Sequence, residues 1–247
     1  VMSLINKLIP TVLIALAVII TGYILGTSYL TRGKSDPSVS VKGLGQQSFD
    51  SDLIVWRASF SRNSLDLKDA YADLNADIEK VKGYLENQGI SEGEIVFDAA
   101  DINKKYDRIY DENGNFKENV FRGYELNQSF EVQSKSVDMV EKTSRDVSKL
   151  IDAGIELNSY SPQYYYTQLA ALKIKMIEAA TKDAKNRAVT IANSGGGTLG
   201  KLTKANMGVF QITAENSSDE YSWGGSFNTT SKRKTASITM RLNYEID

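Results

Sequence analysis

The chain has 247 residues, with 29 Lys+Arg against 31 Asp+Glu for a net charge of −2, and it contains neither histidine nor cysteine. Those absences exclude Ser-His-Asp and Cys-His nucleophile pairs, zinc sites of the usual nitrogen–sulfur kind, disulfides, and haem or iron–sulfur ligation by His or Cys. The near-neutral balance argues against a nucleic-acid partner, which normally draws a basic excess, whereas carboxylate, Lys or Tyr chemistry stays open.

The run from Leu8 to Leu30 carries no charge and matches the ~20 helical residues needed to cross a bilayer core. It reads as a transmembrane signal anchor (8–30) behind a short tail (1–7), because a cleaved signal peptide has an apolar region of only ~7–15 residues. Lys7 and the terminal amine balance Arg32 and Lys34, so charge sets no orientation. Position favours a short inside tail and a C-terminal part outside the cytoplasmic membrane. Residues 31–38 form a polar linker, and 39–247 are enough for one domain with a real core.

Beyond the linker, Ile54, Trp56, Ala58 and Phe60 alternate as in a half-buried strand. Leu67, Tyr71, Leu74, Ile78, Val81 and Leu85 mark an amphipathic helix ending near Gly89. Ile95–Ala99 and Tyr124–Val132 read as strands flanking the Asn113-Gly114 turn signal. A helix over 137–151 stops at Gly154, and 155–166 reads as a strand. Leu169 to Ala192 is a long helix with an alanine-rich face, closed by Gly195 to Gly197. Leu202–Thr213 is extended, 216–234 is a mobile loop, and 236–246 alternates as a strand. The order suggests two strand-helix-strand-strand units (52–134 and 155–246) joined by a linking helix, an α+β arrangement.

Each motif that could carry chemistry competes with a plainer reading. Gly195 to Gly200 satisfies G-x-G-x-x-G but follows a helix, so its glycines face the negative end of the dipole and repel phosphate. Asp111, Asn113 and Asn115 mimic a calcium loop, yet Phe116 and Arg122 stand where Gly and Glu belong. Tyr160 and Tyr164 to Tyr166, with Tyr106, Tyr110 and Tyr124, suggest an aromatic cluster serving core packing or a subunit interface. Asp50, Asp52 and Asp183 read as solvated carboxylates, and Asn127 and Asn228 head glycosylation triplets.

The ordered set of motifs resembles the SIMPL-domain family, a bacterial extracytoplasmic domain of unknown function of the periplasmic immunogenic protein type. The likeness rests on Val39-Ser-Val-Lys-Gly-Leu-Gly45, Ala70, Leu85-Glu-Asn-Gln-Gly-Ile90 and Gly123-Tyr124. Its most specific part is Ala180-Thr-Lys-Asp-Ala184 with Ala188, Ala192, Gly195 to Gly197 and Leu199-Gly200. Phe49-Asp50 departs from the family's Pro-Asp. The resemblance implies an α+β domain outside the cytoplasmic membrane that assembles into ring-like oligomers, and it supplies no catalytic residue or cofactor.

The resulting expectation is a membrane-anchored, non-enzymatic extracytoplasmic scaffold, periplasmic in location, that self-assembles into a ring-like homo-oligomer in envelope or stress maintenance. An envelope ligand- or polymer-binding module is the alternative, and a carboxylate- or Lys-based enzyme the least favoured reading. No catalytic, cofactor or metal residue is expected. The expected partners are further copies of the chain and, through the N-terminal helix, the lipid bilayer, with no nucleic acid.

Overall fold

The computed structural model describes the backbone of residues 2–32, 37–217 and 222–247, and side chains within these except for 2–12 and 30–32. Residues 33–36 of the expected linker and 218–221 of the expected loop therefore lie outside the described residues. The first helix, α1 (Met2–Arg32), runs without a break through the expected tail and anchor. Its described side chains, 13–29, are all exposed, Leu13, Ile14, Val18, Ile19 and Ile24 among them. Among the described residues no helix is long and apolar enough to cross a membrane. The expected span 8–30 extends beyond those side chains at both ends.

The chain divides into two compact units: Val1–Leu44 with Ala180–Gly208 and Thr239–Asp247, and Gly45–Ala179 with Val209–Ile238. In the second, β2 (Leu53–Ser64) pairs antiparallel with β5 (Phe116–Ser134), from Ile54↔Ser134 to Ser64↔Tyr124. Along the other edge of β5 lie β3 (Ile95–Phe97) and β4 (Asp101–Tyr110). Period-2 alternation turns Ile54, Trp56, Ala58 and Phe60 inward with Leu126, Phe130 and Val132. Onto this face α2 (Leu67–Asn87) lays Ala70, Leu74, Val81 and Leu85, started by Asp66, whose carboxylate accepts the Lys68 and Asp69 amides. Each large side chain so buried contributes about 1.5–3 kcal/mol. The buried Trp56 ring meets Phe130 edge-on at 5.5 Å and donates through Nε1 to Ser159 Oγ at 3.0 Å.

The same unit holds α3 (Val137–Asp146), which tightens into a 3-10 turn over Val147–Ala153 and ends at Gly154 with φ 77°. Two short strands, β6 (Leu157–Ser159) and β7 (Gln163–Tyr165), then pair with β2.

The first unit contains the start of β1 (Ser38–Asp50), the C-terminal part of α4 (Leu169–Ser194), β8 (Leu199–Met207) and the end of β10 (Arg233–Ile246). β8 and β10 are antiparallel, from Met240↔Met207 to Ile246↔Leu199. On the other side of β10, β1 is fixed by Ile246 N–H to Pro37 O at 2.8 Å and by the Ser40 hydroxyl to Asn243 at 2.9 Å. Ala180, Ala184, Ala188 and Ala192 of α4 are buried. Gly43 explains why they are small: a Cβ there would lie 2.1 Å from Ala180 O and 2.7 Å from Ala184 Cβ.

The α+β class holds, and several expected elements change. The 155–166 stretch is two three-residue strands, because Pro162 between them has no amide to continue a ladder. Both belong to the β2 sheet, so they do not open a second repeat. The matching arrangement is instead β2-α2-β4-β5 against β1-α4-β8-β10, with the N-terminal β1 supplying the first strand. The extended stretch 202–213 splits at Gly208 into β8 and β9 (Gln211–Ala214), and β9 pairs with Lys234–Ser237 in the second unit. On α2 the buried stripe passes through Ala70 and Asp77, which leaves Tyr71 exposed.

Candidate functional site

The most unusual electrostatic arrangement among the described residues lies where the second unit brings β7, the start of β10 and the 222–232 segment together. In β10 the alternation that turns Arg233 outward, where it meets Glu215 at 2.7 Å, turns Lys234 inward. Lys234 is only 1% exposed, donates from Nζ to the Tyr164 carbonyl and lies 5.8 Å from the Phe227 ring centre. No ion pair among the described residues includes it. Burial without a counter-charge penalises the ammonium form and holds its pKa down, at about 8.

Tyr164 is the hinge of this arrangement. Its amide donates to Thr229 O at 2.7 Å, and its carbonyl receives Lys234. Burial raises its phenol pKa, with the Glu141 carboxylate adding to the effect. Glu141 also accepts from Arg145 at 3.0 Å and lies 3.6 Å from Lys232, whose ammonium reaches Asp138 as well. The contact with Asp138 raises the pKa of Lys232. One lysine of the Lys232-Arg233-Lys234 run is therefore paired with acids and the other is sealed from water.

The described part of the expected mobile loop is held in place. Gln211 of β9 donates to Ser222 O at 2.6 Å and accepts the Ser226 amide at 2.6 Å. Ile212 N–H reaches Ser226 O at 2.7 Å, and Asn228 N–H reaches Ile212 O at 3.0 Å. Gly225, at φ 96°, makes the reversal that an L side chain would strain. The outcome is a hydrogen-bonded collar that presents Trp223 with its side chain fully exposed. An exposed Trp on a fixed backbone is the residue type that anchors protein contacts. Sequence reasoning did not single it out, although a lone Trp in a Ser/Gly segment was the available signal.

The other candidates fall into place separately. The tyrosines form no single cluster: Tyr164 is buried, Tyr160 is exposed near Ser59, Tyr166 meets Phe49 at 4.6 Å with the rings tilted by 50°, and Tyr106, Tyr110 and Tyr124 lie along β4 and β5. Asp111 spends its carboxylate on the Asn113 and Asn115 amides at 2.9 and 2.8 Å, which form the turn and lower its pKa. Asp52 accepts from the Thr167 amide and hydroxyl, both at 2.7 Å. Gly195 to Gly197 donate back to α4 carbonyls, with Gly196 at φ 84°, so they close the helix as the sequence indicated.

Asp183, expected to be merely solvated, accepts the Leu44 amide at 2.9 Å and Arg187 at 3.0 Å. The Leu44 bond contributes most to lowering its pKa. Together with Gly43 against Ala184, this ties α4 to β1 through the residues of the most specific motif. Among the described residues no group of three or more acidic side chains could hold a metal ion.

No curated protein matches the chain. Residues 39–243 match SIMPL, a protein family of unknown function (DUF541), over a span that takes in the Val39 to Gly45 strand and the Asp183 helix that grips it. The chain belongs to the SIMPL family.

Proposed function

We propose that the chain is a membrane-anchored, non-enzymatic scaffold whose SIMPL domain stands on the outer side of the cytoplasmic membrane and self-associates. The observation that carries the anchor is α1: one unbroken helix whose described apolar side chains are all exposed, within a run uncharged from Leu8 to Leu30. Such a surface is costly in water and at home in hydrocarbon. Self-association is supported by β4 and β8, each with one edge unpaired among the described residues, and by the segment that carries Trp223. Anchoring confines copies to a plane and raises their effective concentration, so weak contacts suffice for a ring.

Two measurements test the reading on the full chain. Alkaline carbonate extraction should leave it in the membrane fraction, and protease added from the outer side should digest the domain. Native mass measurement in detergent should give a discrete multiple of the chain, and a strictly monomeric particle overturns the assembly.

A further inference from the structure

The arm formed by β4 and β5 has two chemically different faces. Because β4 alternates without a bulge of its own, Ile102, Lys104, Tyr106, Arg108 and Tyr110 share one face. From β5 the rings of Phe116, Phe121 and Tyr124 join it: Tyr110–Phe116 at 6.4 Å, Tyr106–Phe121 at 5.6 Å and Phe121–Tyr124 at 5.3 Å. Lys104 lies 6.0 Å from the Tyr124 ring centre. Tyr106, Tyr110 and Phe116 are each more than half exposed. Near the start of α2 the ladder widens into a groove of about 570 Å³, lined by Leu65, Leu67, Tyr71 and Ile102 and edged by Lys68 and by Asp66, whose carboxylate caps α2.

Charge is sorted between the faces. Asp101, Asp107, Glu118 and Glu125 lie on the opposite face, where Lys105 and Arg122 pair with Glu125 and Asp107. The aromatic face carries no carboxylate on these strands, and Lys104 and Arg108 enter no ion pair among the described residues. Ten residues at ~3.4 Å each give a ribbon of about 34 Å that is aromatic and cationic on one side.

We infer that this face docks on an anionic lipid surface, lying flat with its rings at the headgroup level and Lys104 and Arg108 against lipid phosphates. Tyr rings and long cationic side chains are the groups that suit that boundary, since each has an apolar body and a polar end. The acidic turn residues Asp111 and Glu112 oppose tip-first insertion and favour the flat pose. A second copy is a poorer occupant, because the same face on it presents the same unpaired cations. This contact is distinct from the anchor, and it gives the domain its own affinity for the bilayer.

The test uses the absence of cysteine, which makes any introduced thiol unique. Full chain bearing a fluorophore at Tyr110→Cys, Asn103→Cys or Val18→Cys is reconstituted into phosphatidylcholine vesicles with or without phosphatidylglycerol and a brominated-lipid quencher. Quenching at position 110 that requires phosphatidylglycerol, without quenching at 103 on the opposite face, is the expected result. Lys104→Ala with Arg108→Ala should weaken it roughly 25-fold, about fivefold per cation. Equal quenching at 103 and 110, none at 110, or no dependence on phosphatidylglycerol overturns the inference. Shielding of position 110 in lipid-free detergent that grows with protein concentration also overturns it, assigning the face to a protein partner. Position 18 reports the anchor alone, so failure of the anchor and failure of the arm are read separately.

Discussion

Replacing Lys234 by Met removes a buried cation from a site without a counter-charge and keeps the chain length of the side chain. The amine titrates at about 8 instead of 10.5. That gap corresponds to about 3 kcal/mol, and structural relaxation with water entry reduces it to about 2 kcal/mol. Between pH 8 and 10.5 the unfolded chain binds more protons at this site than the native one, so wild-type stability rises with pH across that window. Below pH 8 both states carry the proton and the penalty is constant. The variant also leaves the Tyr164 carbonyl without its donor, a loss of about 1–3 kcal/mol that does not depend on pH. Urea denaturation of both proteins, below pH 8 and near pH 10.5, isolates the titrating part because all other groups cancel. The stability difference should move by about 2 kcal/mol toward the wild type as pH rises. A difference that stays flat, or moves the other way, refutes the assignment of Lys234 as a desolvated cation.

Other positions give independent checks. Gly43→Ala places a methyl within 2.7 Å of Ala184 Cβ and closer still to backbone; it should cost about 3 kcal/mol, seen as a lowered melting temperature. Asp77→Ala strips the buried partner from Arg62, which also donates to Gly154 O at 2.8 Å. The exposure of Arg62 moderates that loss to about 2–3 kcal/mol in chemical denaturation. Trp56→Ala empties the centre of the second unit's core and should cost about 3–5 kcal/mol by the same assay. Iodide should quench Trp223 efficiently and leave Trp56 almost untouched, so Trp56→Phe yields a fully quenchable emission.

Long apolar patterns were legible in the sequence, and contacts that depend on distant partners were not. The stripe Leu74, Val81 and Leu85 is periodic enough to locate α2. It does not decide whether Tyr71 or Ala70 turns inward, because that depends on the sheet beneath. β4 escaped notice because Asp101 to Tyr110 is mostly polar and buries almost nothing; its ladder with β5 is what makes it a strand. The glycine run was readable from its place after a helix, whereas the role of Asp183 needed Leu44, 139 residues away, to become visible. Lys234 looked like the end of a basic loop, and only strand alternation against Tyr164 and Phe227 shows it sealed. Trp223 stands out because Gln211 fixes the backbone on either side of it.

The pairing of β1 with β10 has a consequence for biogenesis. Ser40 and Asn243, joined by a hydrogen bond, are 203 residues apart in the chain. The strand that follows the apolar helix must therefore wait for a partner 203 residues further along the chain. Until then Val39 and Val41, buried in the finished protein, are exposed beside an open strand edge. Closure of so long a loop is slow, and the waiting chain is prone to the wrong pairing. The folding chain is therefore most open to mispairing in the interval before the fourteen-residue β10 arrives.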